Sequence, residues 1–193
     1  YWTARFYSTL ANRYKPTLSE EYRWHKKKAY RLCQEIIKIY PGTYGARNAR
    51  NLMANIRKIK LELTLEQITI PDKPFRALLA YQNVDRVYFR LVETNREELK
   101  QYRYKNRQKI VNHFLSRPVL KSWQQRLPDE GDFQAHSAEV RINPLHAGHY
   151  LVLVSGDPDK DGDRDLLVFS RDGLSFFRND GGFTFESDDR FHN

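Results

Sequence analysis

Apolar positions along this chain follow two periods, and the change from one to the other divides it near residue 60. Trp2, Phe6, Leu10 and Tyr14 recur at four-residue steps, which predicts a first helix with one aromatic stripe. Lys15-Pro16 ends it, because proline disfavours helix at the residue before it. Thr17 and Glu20 have the spacing of a capping box, which predicts a second helix from there to about Tyr40. Its apolar face holds Ala29, Leu32, Cys33, Ile36, Ile37 and Tyr40, with Lys26, Lys27 and Lys28 mostly pointing away. Tyr40-Pro41-Gly42-Thr43 reads as a turn, and Thr43 then caps a third helix whose Ala46, Ala49, Leu52, Met53 and Ile56 face back. Small alanines at a helix contact beside a Pro-Gly turn resemble a tetratricopeptide-type hairpin, here expected as the end of a longer array.

From Leu61 the period is two. Leu61, Leu63 and Leu65 share a face, while Ile68 and Ile70 sit on the other parity, which predicts a bulge near Glu66-Gln67. Pro71 to Pro74 breaks the pattern. Phe75–Tyr81 and Arg86–Val92 are expected as a hairpin across Gln82–Asp85. Thr94 and Glu97 form a second capping box, and residues 95–115 read as one basic, tyrosine-bearing helix inserted between strands. Three more strands follow. Trp123 and Leu127 share a face of the first, and Ala138, Val140 and Ile142 alternate with Glu139 and Arg141 in the second. Tyr150–Val154 is apolar on both faces, which suits a central strand. Between the last two, Asn143-Pro144 to Gly148 turns the chain, with Gly148 free to take a positive φ. Strands at Asp165–Ser170, Leu174–Arg178 and Phe183–Phe185, with turns at Arg171–Gly173 and Asn179–Gly182, bring the count to about eight at sandwich-like spacing.

Composition narrows the reading. The 193 residues are 40% apolar and 13% aromatic, enough for a packed core in one large or two small domains. No apolar run approaches the roughly 18 residues of a membrane span, so direct membrane insertion is not expected. No signal peptide is visible, and the start at Tyr1 reads as mid-helix, so a fragment or processed form is expected. A single cysteine excludes an internal disulfide and a cysteine-built zinc site. The net charge of +9 is uneven: residues 1–60 carry 14 Lys/Arg against 3 Asp/Glu, and residues 151–193 carry 5 against 10.

Two runs, KLELTLEQITIPDKPFRALLAYQNVDRVYFRLVE (60–93) and PVLKSWQQRLPDEGDFQAHSAEVRINPLHAGHYLVLVSGD (118–157), resemble the amino-terminal region of bacterial alpha-2-macroglobulin-family proteins, the large Bacteroidetes type most closely. In those, a helical-repeat segment ending in a Tyr-Pro-Gly-type turn runs into the first macroglobulin-like sandwich, and Ile39-Tyr-Pro-Gly-Thr-Tyr-Gly-Ala46 stands at that place here. The resemblance spans about residues 18–157. It implies an α+β fold: a tetratricopeptide-like segment over 1–59, then an antiparallel, immunoglobulin-like β-sandwich over 60–193 with a helical insertion at 95–115. It also implies a secreted or membrane-tethered parent, periplasmic or extracellular, anchored as a lipoprotein through a missing amino-terminal part and binding or inhibiting proteases. The family's thioester is not here. Cys33-Gln-Glu-Ile36 has isoleucine where the acyl-donating glutamine is required, and Cys33 lies on an apolar helix face as a small core residue.

The tail departs from that family. Asp157-Pro-Asp-Lys-Asp-Gly-Asp-Arg-Asp165-Leu-Leu-Val168 resembles the calcium loop of FG-GAP and VCBS-type repeats in integrin-like and other extracellular propellers. The resemblance implies side-chain ligands from Asp157, Asp159, Asp161 and Asp165 and a backbone carbonyl from Asp163. Carboxylates at alternate positions converge on one point, and Gly162 permits the sharp turn. Val168 stands where a helix-loop-helix calcium hand needs its closing acid, so only the hairpin-loop form fits. The competing reading is a solvated hairpin tip.

Other chemistry finds little support. Lys26–Lys28 with Tyr22, Trp24 and Tyr30, and Lys100–Lys109 with Tyr102 and Tyr104, mix cations with rings. The cations spread around helix faces, so solvated or domain-docking faces are expected and nucleic acid is not. His146 and His149 share a turn with no acid near in sequence, and no serine sits in a nucleophile elbow. The expectation is a non-enzymatic scaffold that needs no cofactor, with calcium at the Asp157–Asp165 loop as the alternative. Its partners would be neighbouring domains of the parent chain and proteases.

Overall fold

The computed structural model describes residues 1–65, 70–102, 105, 107–156, 164–169 and 175–176, with backbone alone at 107–108, 164–169 and 175–176. It mixes helices with antiparallel sheet in two compact units. One is helical and comprises Tyr1–Ile59 with Pro128–His136; the other comprises Lys60–Leu127 with Ser137–Asn193.

In the helical unit, α1 spans Trp2–Leu10 and continues as a 3-10 turn over Ala11–Arg13; α2 spans His25–Ile39 and α3 Tyr44–Arg57. The four-residue aromatic stripe does not face inward. Ala4 and Ala11 are buried, while Trp2 and Phe6 are exposed. The reason is distance: Ala4, Cys33 and Ala49 form one buried cluster at the helix contacts, and only side chains this small let three backbones approach so closely. Leu32, Ile36, Ile37, Leu52 and Met53 pack around it. The capping box at Thr17 and Glu20 does not form either. Residues 15–24 are turns and bends held by a Lys15–Ser19 bridge, Glu20 Oε2 is taken by Arg23 Nη1 at 2.9 Å, and α2 starts only at His25. Thr43 does cap α3, its Oγ1 accepting from the Ala46 amide at 3.2 Å.

Among the described residues the second unit holds eight strands, the fifth entering it from His136: β1 Lys60–Leu65, β2 Phe75–Gln82, β3 Arg86–Thr94, β4 Val119–Arg126, β5 His136–Ile142, β6 His149–Ser155, β7 Arg164–Phe169 and β8 Ser175–Phe176. They form a three-stranded sheet in the order β1-β2-β5 and a five-stranded sheet in the order β4-β3-β6-β7-β8. The hairpin expected between β2 and β3 is therefore wrong. β2 already has β1 and β5 beside it, and β3 has β4 and β6, so no ladder edge is left for the two to share. The linking Gln82–Asp85 crosses between sheets instead, with Asn83 at φ +58°, Val84 buried, and the Asp85 carbonyl accepting from the Leu127 amide at 2.8 Å.

Alternation is clean where it was read. Leu61, Leu63 and Leu65 of β1 are buried, as are Phe75, Ala77, Leu79 and Tyr81 of β2 and Val140 and Ile142 of β5. The expected bulge at Glu66-Gln67 lies outside the described residues. β6 is central and buried on both faces. Its second face is covered because Leu151 and Leu153 join Val92 of β3 against Ile110 and Phe114 of the helical insertion. That insertion is two helices, α4 Arg96–Tyr102 and α5 Arg107–Leu115, rather than one over 95–115. Its start is capped by Asn95, whose Oδ1 accepts from the Glu98 amide at 2.8 Å, and not by a Thr94–Glu97 box. Gly148 takes no positive φ. What it provides is room, since a Cβ there would meet the Tyr150 ring at 3.0–3.2 Å.

Candidate functional site

The residues singled out as metal ligands fall mostly beyond view. Asp157, Asp159, Asp161 and Asp163 lie outside the described residues. Asp165 is placed by its backbone in β7, opposite Val154 of β6. Among the described residues no group of three or more His, Cys, Asp or Glu is arranged to hold a metal ion. His146 pairs through Nδ1 with Asp72 Oδ1 at 2.6 Å, an exposed contact that sequence spacing could not have supplied. His149 is held apart from it in β6, with its Nε2 buried and without a hydrogen-bond partner. Cys33 is fully buried, and burial pushes its thiol above the ordinary value, which suits an inert core residue.

Two polar clusters escaped the sequence reading. The first is built on the Pro128–His136 segment of the helical unit. Asp132 is buried and accepts from three directions: the Gln134 amide at 2.8 Å, Arg23 Nε at 3.0 Å and His136 Nε2 at 3.0 Å. Arg23 also meets Glu130 and Glu20. Burial alone would raise the Asp132 carboxyl. The backbone amide, His136 and Arg23 outweigh that and hold it below the ordinary value. Gln134, also buried, points its amide nitrogen at the carbonyls of Ala11, Tyr22 and Arg23, at 3.4, 3.3 and 3.0 Å. The Ala11 and Tyr22 carbonyls also accept from the Tyr14 and His25 amides, each at 3.2 Å, so Gln134 adds a second bond to these two and ties the end of α1 to the turn before α2. Between the two polar residues Phe133 sits at φ +61°, an uncommon conformation for an aromatic residue, with its ring against Tyr30. The turn it makes is what lets its two neighbours face the same interior.

The second cluster ties the insertion to the end of β3. Glu98 accepts from Thr94 Oγ1 at 2.7 Å, His113 Nε2 at 2.5 Å and Arg117 Nη2 at 3.3 Å. Tyr102 stacks on the His113 ring, centroids 4.0 Å apart. Burial pushes this carboxyl up, and the bonds from His113 and Thr94 with the Arg117 charge more than reverse it.

In both clusters the acid is spent on holding its neighbours. Neither places a nucleophile beside a free base, which general acid–base or covalent chemistry needs. Five cations of the helical unit lie over rings: Arg23 and Lys27 over Trp24, Lys28 over Tyr7, Arg5 over Trp2 and Arg47 over Tyr44. Lys27 and Lys28 therefore do not simply point away. No helix among the described residues is long and apolar enough to cross a membrane. Compared with models of known protein families and with curated proteins, the sequence has no match.

Proposed function

We propose that the chain is a non-catalytic structural and interaction segment of an alpha-2-macroglobulin-like cell-envelope protein. In this reading the helical unit is tetratricopeptide-like and the second unit is a macroglobulin-like β-sandwich with an inserted helical pair. The parent works in the periplasm or outside the cell, where it binds or restrains proteases. The observation that carries the reading is the strand order. β2 to β3, β4 to β5 and β5 to β6 each pass from one sheet to the other, the connectivity by which two-layer antiparallel folds close. Asp132 and Glu98 support it as well, since each is engaged in holding its own unit together.

Two measurements test it. The purified chain should leave ester, peptide and phosphate substrates unhydrolysed, and turnover above background would remove the non-catalytic claim. It should also co-elute with at least one member of a panel of active-site-blocked secreted proteases. Failure with every member would remove the protease claim.

A second reading, a calcium-dependent surface-binding module, draws on one register. Ser155 pairs with Arg164, so the stretch that joins β6 to β7 contains four of the five candidate aspartates. Terbium luminescence sensitised by the chain and abolished by Asp161→Ala supports it. No signal at millimolar calcium or terbium disposes of it.

A further inference from the structure

The helical unit exposes several large apolar side chains; Leu18 and Trp24 lie in the segment between α1 and α2, and Trp2, Ile39, Tyr40 and Tyr44 lie towards the other end. Tyr7 of α1 packs on His25, and Lys28 lies over the Tyr7 ring, so the later part of α1 meets the start of α2. Ala4, one turn earlier, meets Cys33 and Ala49 instead. α1 therefore runs against α2, and the Trp2 end of α1 lies towards the α2–α3 turn, where α3 also begins. Every residue from Lys38 to Tyr44 is exposed. Trp2 is 73% exposed, Tyr44 71%, Ile39 63% and Tyr40 59%, all unusual for side chains of this size.

The charge around them is mainly positive: Arg5, Lys38, Arg47 and Arg50 stand near these side chains in sequence, against one acid, the exposed Glu35 a turn before Ile39. Neither α1 nor α3 has an acid in its first turn, although a helix start favours negative charge. Arg5 and Arg47 lie over Trp2 and Tyr44, each with its guanidinium carbon 5.5 Å from the ring centroid. A guanidinium over a ring can still donate its N–H groups to a carboxylate while the other face of the ring makes apolar contact.

We propose that this end of the helical unit is a docking surface for an acidic stretch of polypeptide that carries apolar side chains. A peptide is favoured over nucleic acid on two counts. One face of Trp2 and of Tyr44 is already closed by a guanidinium, and Ile39 offers methyl groups where base stacking needs a π face. The site lies outside the Asp157–Asp165 loop, and it does not depend on the protease reading.

The test uses fluorescence anisotropy on the whole chain. The probe is a fluorescein-labelled twelve-residue peptide alternating Glu with Leu and Phe, and its control has Gln in place of every Glu. The acidic peptide should bind, with affinity falling as salt is raised, and the control should bind at least about tenfold more weakly. Trp2→Ala with Tyr44→Ala, and separately Arg5→Ala with Arg47→Ala, should each weaken binding by about tenfold or more. All four positions are on the surface, so thermal melting should be unchanged. Equal affinity for the Gln peptide, no effect of either double variant, or no binding at all would overturn the proposal. So would tighter, Trp2-dependent binding to a dT12 oligonucleotide or to phosphatidylglycerol vesicles.

Discussion

Two carboxylates, the buried Asp132 and the partly buried Glu98, do the same physical work with opposite sequence logic. Glu98 gathers Thr94, His113 and Arg117, partners 4, 15 and 19 residues away. Asp132 takes Arg23 from 109 positions earlier, and Gln134 beside it reaches Ala11 across 123. Both acids are held below their ordinary pKa by bonds that outweigh burial. The difference lies in what each closes. Glu98 secures one insertion to the strand it springs from, whereas Asp132 recruits a remote segment of chain into the helical unit and closes a very long loop. Because loop closure grows only slowly with length, a few strong, dry contacts suffice to hold that segment.

The comparison breaks most visibly at Asp132. Asp132→Ala leaves Arg23 and His136 without their buried acceptor and should cost about 3–5 kcal/mol, the usual result of deleting one partner of a buried ion pair. Trp24, which lies under Arg23 and Lys27, reports the helical unit during denaturant unfolding. Glu98→Ala should cost less, about 1–3 kcal/mol, because His113 and Arg117 are partly exposed and water can replace the lost acceptor. Trp123, stacked on Phe89 at 4.9 Å, reports that unit. A larger loss for Glu98→Ala than for Asp132→Ala would reverse the comparison.

The same distinction marks what could be read in the sequence. Several interactions within one turn or one strand were legible: the Thr43 cap, the Leu61-Leu63-Leu65 face, the two-sided burial of β6, and the burial of Cys33. The Thr17–Glu20 and Thr94–Glu97 boxes, equally local, were not formed because Arg23 takes Glu20 and Asn95 caps α4. Interactions that depend on chain segments far apart were not legible. The β2–β3 hairpin was expected because the strands are neighbours in sequence, but sheet partnership depends on β5 and β6 as well. The four-residue stripe showed the α1 helix but not which face is buried, because nothing local says that Ala4, rather than the aromatics, meets Cys33 and Ala49. Asp132 and Gln134 sat in what read as a strand connection. The one available signal was charge: Asp129-Glu130-Gly131-Asp132 is an acidic cluster in a chain whose first 60 residues carry 14 cations. The Asp157–Asp165 loop was conspicuous for the opposite reason, being a wholly local pattern.

Acid sharpens the comparison further. A carboxyl held low in the folded state contributes stability that is complete above its unfolded pKa, about 4. That contribution is lost as pH falls through the lower folded value. Both units should therefore lose stability as pH drops from about 5 towards 2. Asp132→Asn should flatten this dependence in the Trp24 signal and leave it in the Trp123 signal, and Glu98→Gln should do the reverse. If either variant changed both profiles equally, the two carboxylates would not be independent.

The smallest expected effect belongs to the interaction most plainly written in the sequence. Thr43→Ala removes the side chain that accepts from the Ala46 amide and should cost about 1 kcal/mol, with Thr43→Ser restoring most of it. The loss stays small because the bond is local and no remote residue shares it, even though the amide it leaves belongs to the buried Ala46. Asp132 is harder to replace: it is itself buried and gathers the Gln134 amide, His136 and Arg23, although Arg23 keeps Glu20 and Glu130 when it is lost. The Asp132-to-Thr43 ratio of losses, read from Trp24 under one denaturant, therefore measures how far the helical unit depends on the segment that returns to it at Pro128–His136. A ratio near one would mean that the three helices hold together on their alanine contacts alone.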